Sequence, residues 1–134
     1  MKRAADPLFD VLARTIQIEA DFGPARAFDA VGAAIANRAR HARDRAIEEV
    51  CLGFACWLPR ADGRAPAETA PRAGRSYEQA RRVARAILRG RHVDPTLGAT
   101  EWLDVEEGPP PRSCRSVRIG GRWYFDSLDA RSTT

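Results

Sequence analysis

The most constraining stretch of the chain runs from Leu8 to Pro24. Leu8, Val11, Leu12, Thr15 and Ile16 recur at helical spacing, and Gly23-Pro24 then breaks the pattern. Asp6-Pro7 suits a helix start, because Asp caps free amides and Pro is tolerated at the first helical position. The spacing predicts a helix from about Pro7 to Ala20. Glu19 falls just inside its end and faces nearly the same way as Leu8, Leu12 and Thr15. Burying a charge is costly, and the carbonyls at a helix C-terminus add a negative field. Both effects favour the protonated carboxyl, the form a general acid needs. The plainer alternative is a partly exposed glutamate at a helix end.

Beyond the break, Ala27, Phe28, Val31, Ala34, Ile35 and Arg38 predict a second helix from about Arg26 to His41. Gly32, Ala33, Ala34 and Ala36 are small enough to let another helix approach closely. Asp44 is a candidate cap for a short third helix through Ile47, Val50 and Cys51, and Gly53 to Trp57 forms a compact aromatic loop. Residues 58–75 are rich in Pro, Ala, Gly and Arg and read as a surface loop. Ser76-x-x-Gln79 has the form of a capping box. Ala80, Val83, Ala84, Ile87 and Leu88 follow as the clearest helical stripe, which Gly90 ends.

The last third changes character. Asp94 to Gly98 is turn chemistry, and Thr100 to Val105 can form a strand. Glu107 to Ser113, with its prolines, is irregular. Ser116 to Ile119 and Arg122 to Phe125 flank Gly120-Gly121, a hairpin signal. Residues 128–134 read as a flexible tail. The expectation is a single α+β domain over residues 1–134, a helical body with a small antiparallel sheet late in the chain.

Charge and cysteine usage narrow the function. The formal net charge is +4, and of 22 basic residues only Lys2 is lysine. The arginines are scattered, with no basic arm, so nucleic acid is not the expected partner. Cys51, Cys56, Cys114, His41 and His92 match no zinc spacing, and neither a metal nor a cofactor is expected. Met1 to Asp10 has no apolar core of a signal peptide, and no segment approaches the roughly 20 apolar residues of a membrane span. The expectation is a chain made in the cytoplasm, without a membrane span.

Leu12-Ala13-Arg14-Thr15-Ile16 with Glu19-Ala20 and Pro24 resembles the opening of the SleB-type cell wall hydrolases, the spore-cortex-lytic enzyme family. Val31 to Arg38 is similar to that family's V-A-x-V-I-x-N-R. Val50-Cys51 and Phe54-Ala55-Cys56-Trp57 look like its V-C and F-S-C-W. Ala84 to Gly90, then Asp94 to Glu101, look like its A-x-x-V-L-x-G and D-P-T-x-G-A-T-H. Ile119 to Phe125 is similar to its I-G-x-H-x-F-Y. These motifs stand in the family's order over roughly residues 8 to 126.

The resemblance implies a lysozyme-like domain that cuts the glycan strands of peptidoglycan, by lytic transglycosylation. Glu19 then corresponds to the catalytic glutamate. Asn37, Trp57, Thr100, Trp102 and Tyr124 are the expected substrate-binding residues, with the last four walling a groove over Glu19 between the helical body and the sheet. The chain departs from the pattern at four informative places. Gly23 replaces a second glutamate, Ile18 a glycine, Ala55 a serine and Glu101 a histidine. Asp21 and Glu101 remain as candidates for a second carboxylate. Cys51 and Cys56 match the family's cysteine pair, which would bond in an oxidising compartment. Without a leader, such an enzyme needs a carrier, so phage, tail or gene-transfer-particle proteins are the expected partners besides peptidoglycan. The competing expectation is an impaired wall-binding or structural component of such a particle.

Overall fold

The computed structural model describes residues 6–21, 23–41 and 46–127. Five α-helices come first: α1 Pro7–Glu19, α2 Ala25–His41, α3 Ile47–Leu52, α4 Pro66–Thr69 and α5 Arg75–Leu88. Three strands follow: β1 Glu101–Asp104, β2 Ser116–Ile119 and β3 Arg122–Phe125. They form an antiparallel sheet in the order β1-β3-β2. The chain is therefore α+β, as its pattern predicts. The cap expected at Asp44 and the tail 128–134 lie outside the described residues. No helix among the described residues is long and apolar enough to cross a membrane.

Helix α1 is the axis of the body. The Asp6 carboxylate caps its start by accepting from the Leu8 N–H at 3.0 Å. An amphipathic surface helix buries one stripe, but here Leu12 to Gln17 are buried consecutively. Helices α2, α3, α4 and α5 all pack against it. The close fit of α5 on α2 depends on Gly32. A Cβ there would lie 2.6 Å from Val83 Cγ1 and 2.9 Å from Ile87 Cδ1.

Two expectations need correction. Residues 58–75 are not simply a surface loop. They contain α4, and Ala65 and Ala67 are fully buried. The cause is Arg14, whose guanidinium is buried against α1 and donates to the carbonyls of Ala67 and Glu68, each at 2.9 Å. It is balanced by Asp10 at 3.2 Å, and Gln17 reaches the Pro71 carbonyl at 2.8 Å. The sequence pattern hides this anchor because both Arg14 and Gln17 are polar.

The capping box at Ser76 does not form. Helix α5 begins two residues earlier than a Ser76 cap would start it, at Arg75 after Gly74, and its N-cap makes no side-chain hydrogen bond. The Ser76 hydroxyl instead donates to Asp21 Oδ1 at 3.1 Å, tying α5 to the end of α1. The far end of α5 follows expectation. Gly90 has φ +68°, its N–H donates to Ile87 O, and the Arg91 N–H donates to Ala86 O. That pair of bonds is the Schellman ending that a glycine permits.

In the sheet, Trp102, Tyr124 and Val117 form one cross-strand row, and Asp104, Arg122 and Ile119 form the next row on the same face. Gly120, at φ +60°, turns the hairpin, and its tip comes down on Pro24. The hairpin thus closes on the break that ends α1.

Candidate active site

Glu19 is the last residue of α1, at the junction of that helix with the sheet. The final turn of α1 carries no basic residue of its own to offset its exposed carbonyls. Arg122 of β3 supplies the charge. Its Nη1 donates to the Glu19 main-chain oxygen, and its Nε pairs with Asp104 Oδ1 at 3.3 Å. The clasp joins residues 103 apart in sequence.

The Glu19 carboxyl feels opposing influences. Burial raises its pKa, whereas the Arg122 guanidinium, a hydrogen bond from the Cys56 thiol and the more distant Arg38 lower it. Burial wins, and the pKa is raised above the ordinary carboxylate value. The Cys56 thiol is pushed up to about 12, mainly by burial and then by the carboxyl beside it, so it stays protonated and acts as a donor. Cys51, Cys56 and Cys114 are free, buried thiols.

Trp57 belongs to this site. It lies in the 3₁₀ turn Ala55–Trp57 with Cys56, and its indole Nε1 donates to Thr15 Oγ1 at 2.8 Å, one turn before Glu19 on α1. Thr15 in turn donates to Val11 O at 2.7 Å. The short turn therefore lies against the last two turns of α1 and sets Cys56 on the carboxyl.

Trp102 is also partly exposed, in a second cluster. It stacks on Phe54 with centroids 5.4 Å apart, and Arg38 lies over both rings, 5.0 Å from Phe54 and 6.0 Å from Trp102. Arg38 donates to Thr100 O at 2.7 Å and pairs with Glu101 Oε2 at 2.9 Å. Aromatic faces of this kind suit the apolar faces of sugar rings.

The other three expected contact residues are turned inward. Asn37 is buried, and its amide donates to Asp94 Oδ2 and Ala99 O, both at 2.9 Å. Thr100 is 2% exposed, with its hydroxyl on Asp126 and its oxygen accepting from the Ser127 N–H. Tyr124 is 0% exposed and packs 6.2 Å from Trp102. Its hydroxyl is buried without a hydrogen bond, and burial raises its pKa beside Arg122. These residues hold loops and strands in place rather than face a ligand. The polar atoms of Asn37 and Thr100 are used up by the fold, and burial keeps the Tyr124 ring from any ligand.

Both candidate second carboxylates have partners other than Glu19. Asp21 accepts from Ser76 on α5, and Glu101 is paired with Arg38. The position matched to a second family glutamate has no room for a side chain. A Cβ on Gly23 would lie 2.8 Å from Ala27 Cβ and 3.0 Å from Ala20 O. Sequence reasoning missed Arg122, Cys56, Arg38 and Phe54. Cys56 had a signal in its aromatic setting, and Arg122 had one in its place beside the hairpin turn.

A partly buried carboxyl with raised proton affinity can deliver a proton to a leaving oxygen. No protein-family model matches the chain, and no curated protein or solved structure matches it at a significant level.

Proposed function

We propose that the chain cleaves the glycan strands of peptidoglycan as a lytic transglycosylase, with Glu19 as its general acid. The observation that carries this reading is the half-buried Glu19 carboxyl at the end of a buried helix, where burial raises its pKa despite two arginines that oppose it. The order of motifs resembling the SleB-type hydrolases, and a lysozyme-like reading of the α+β architecture, support it.

In the reaction, Glu19 gives its proton to the glycosidic oxygen as the bond from that oxygen to the anomeric carbon breaks. The 6-hydroxyl oxygen of the same muramic sugar bonds the anomeric carbon, and its proton passes to the Glu19 carboxylate, restoring the acid. The route needs no second carboxylate, consistent with Asp21 and Glu101 being held by other partners. Arg122 fixes the helix end from which the carboxyl projects, Cys56 hydrogen-bonds it, and Trp57 and Trp102 offer faces for the sugars. A wall-binding component without catalysis is the second reading, and the departures from the family pattern at Gly23, Ala55 and Glu101 favour it.

The test is digestion of purified peptidoglycan followed by analysis of the fragments. Ends carrying a 1,6-anhydro ring are expected. Ordinary reducing ends would replace transglycosylation by hydrolysis, and intact strands would favour the binding component.

A further inference from the structure

The end of α5 and the turn after it carry features that the Glu19 site does not use. The exposed large hydrophobic side chains among the described residues are Leu52, Leu58, Leu88, Val93 and Leu97. Three of them fall between residues 88 and 97, with Val93 70% and Leu97 62% exposed. Arg85, Arg89 and Arg91 are exposed in the same stretch. Between Arg81 and Glu101 the only acidic residue is Asp94, and both of its carboxylate oxygens are occupied within the fold. Asp6 lines a hollow with Phe9, Arg85, Leu88 and Arg89, and its carboxylate caps α1.

Leu97 is the sharpest of these observations. It is the one described non-glycine residue with positive φ, at +59°, a conformation rarely adopted by leucine. Asp94 holds the turn by accepting from Thr96 N, Thr96 Oγ1, Gly98 N and Asn37 Nδ2. A rigid, strained turn thus holds an aliphatic side chain out in water. The hydrogen bonds on Asp94 hold the turn without needing a leucine, so an aliphatic side chain at this strained position points to a use outside the fold.

We propose that this stretch, from Arg85 to Leu97, docks on the surface of an anionic lipid bilayer. Arg85, Arg89 and Arg91 meet lipid phosphates, and Leu88, Val93 and Leu97 enter the boundary between headgroups and acyl chains. Charge complementarity selects an anionic partner, and the side-chain type selects lipid. Anchors of protein interfaces are enriched in Trp, Tyr and Arg, with Leu and Val under-represented. A nucleic-acid backbone would leave the aliphatic prongs in water. The proposal stands apart from the chemistry of Glu19.

Co-sedimentation of the full chain with large vesicles tests it. The chain pellets with vesicles of phosphatidylglycerol and phosphatidylcholine, not with phosphatidylcholine alone, and salt weakens the binding. Leu97→Asn lowers the affinity roughly tenfold by removing a buried aliphatic group. Asn tolerates positive φ, so this variant melts no lower than the parent and its loss of binding cannot be ascribed to unfolding. Arg89→Glu lowers affinity at least fivefold, at roughly a factor of five per charge. Arg112→Glu makes the same charge change outside the stretch and leaves binding near the parent value. Failure to pellet with anionic vesicles at low salt overturns the proposal. So does binding that ignores Leu97→Asn, or that Arg112→Glu weakens as much as Arg89→Glu, since either outcome shows net charge alone.

Discussion

Arg122 donates a hydrogen bond to the main-chain oxygen of Glu19, and its charge also stabilises the ionised Glu19 side chain. One guanidinium therefore fixes the end of α1 to the sheet and limits how far burial can raise the carboxyl. The hairpin tip on Pro24 completes the closure.

Replacing Arg122 by Met separates these effects from catalysis. The Glu19 carbonyl loses its donor and Asp104 loses its ion pair, for a destabilisation of about 1–3 kcal/mol in urea unfolding. The Glu19 pKa rises further, because its largest stabilising charge is gone. A carbon-13 titration of the Glu19 carboxyl reads that shift directly. A pKa that stays in place would show that Arg122 acts on the backbone alone.

Gly32→Ala tests the contact between α2 and α5. Alanine favours the helix by about 1 kcal/mol over glycine. The added methyl, however, meets Val83 Cγ1 at 2.6 Å, on a stiff side chain. Overpacking costs about 1–3 kcal/mol, so thermal melting falls on balance. A rise in the melting temperature would mean that the two helices part easily.

Asp94 gives a pH-dependent signature. Burial raises its pKa, but hydrogen bonds from Thr96, Asn37 and Gly98 outweigh that, and the pKa is lowered. A group lowered in the folded state stabilises above its unfolded pKa, and that stability is lost as pH falls through the folded one. Asp94→Asn is therefore expected to cost about 1–3 kcal/mol at neutral pH. The gap between variant and parent should close in acid, as followed by urea unfolding at several pH values. A gap independent of pH would assign the loss to shape rather than charge.

The helices and the hairpin were legible because their apolar spacing and their glycines act locally. Glycine at residues 90 and 120 appears where the backbone takes a positive φ, and the stripe of α5 reports its buried face. Long-range polar anchors were not legible. Arg14 holds α4 from 53 residues away, and Arg122 reaches Glu19 across 103, with no periodicity to announce either. The same gap explains Asn37, Thr100 and Tyr124. Their residue types suit sugar binding, but the burial of all three and the internal hydrogen bonds of Asn37 and Thr100 show only in three dimensions. The partly buried setting of Glu19 was legible because its oddity, a carboxyl on an apolar helical face, is itself local.

Glu19→Gln tests the central claim most directly, with purified peptidoglycan as substrate and release of glycan fragments as the readout. Glutamine keeps the shape of the side chain and cannot give up a proton in its place. The raised pKa means that Glu19 favours the fold when protonated, at low pH, and loses that advantage as pH rises through its folded value. The variant should therefore be at least as stable as the parent at neutral pH. Loss of general acid catalysis predicts fragment release slowed about 100- to 10,000-fold in a folded protein. A folded Glu19→Gln protein that releases fragments at the parent's rate would contradict the account.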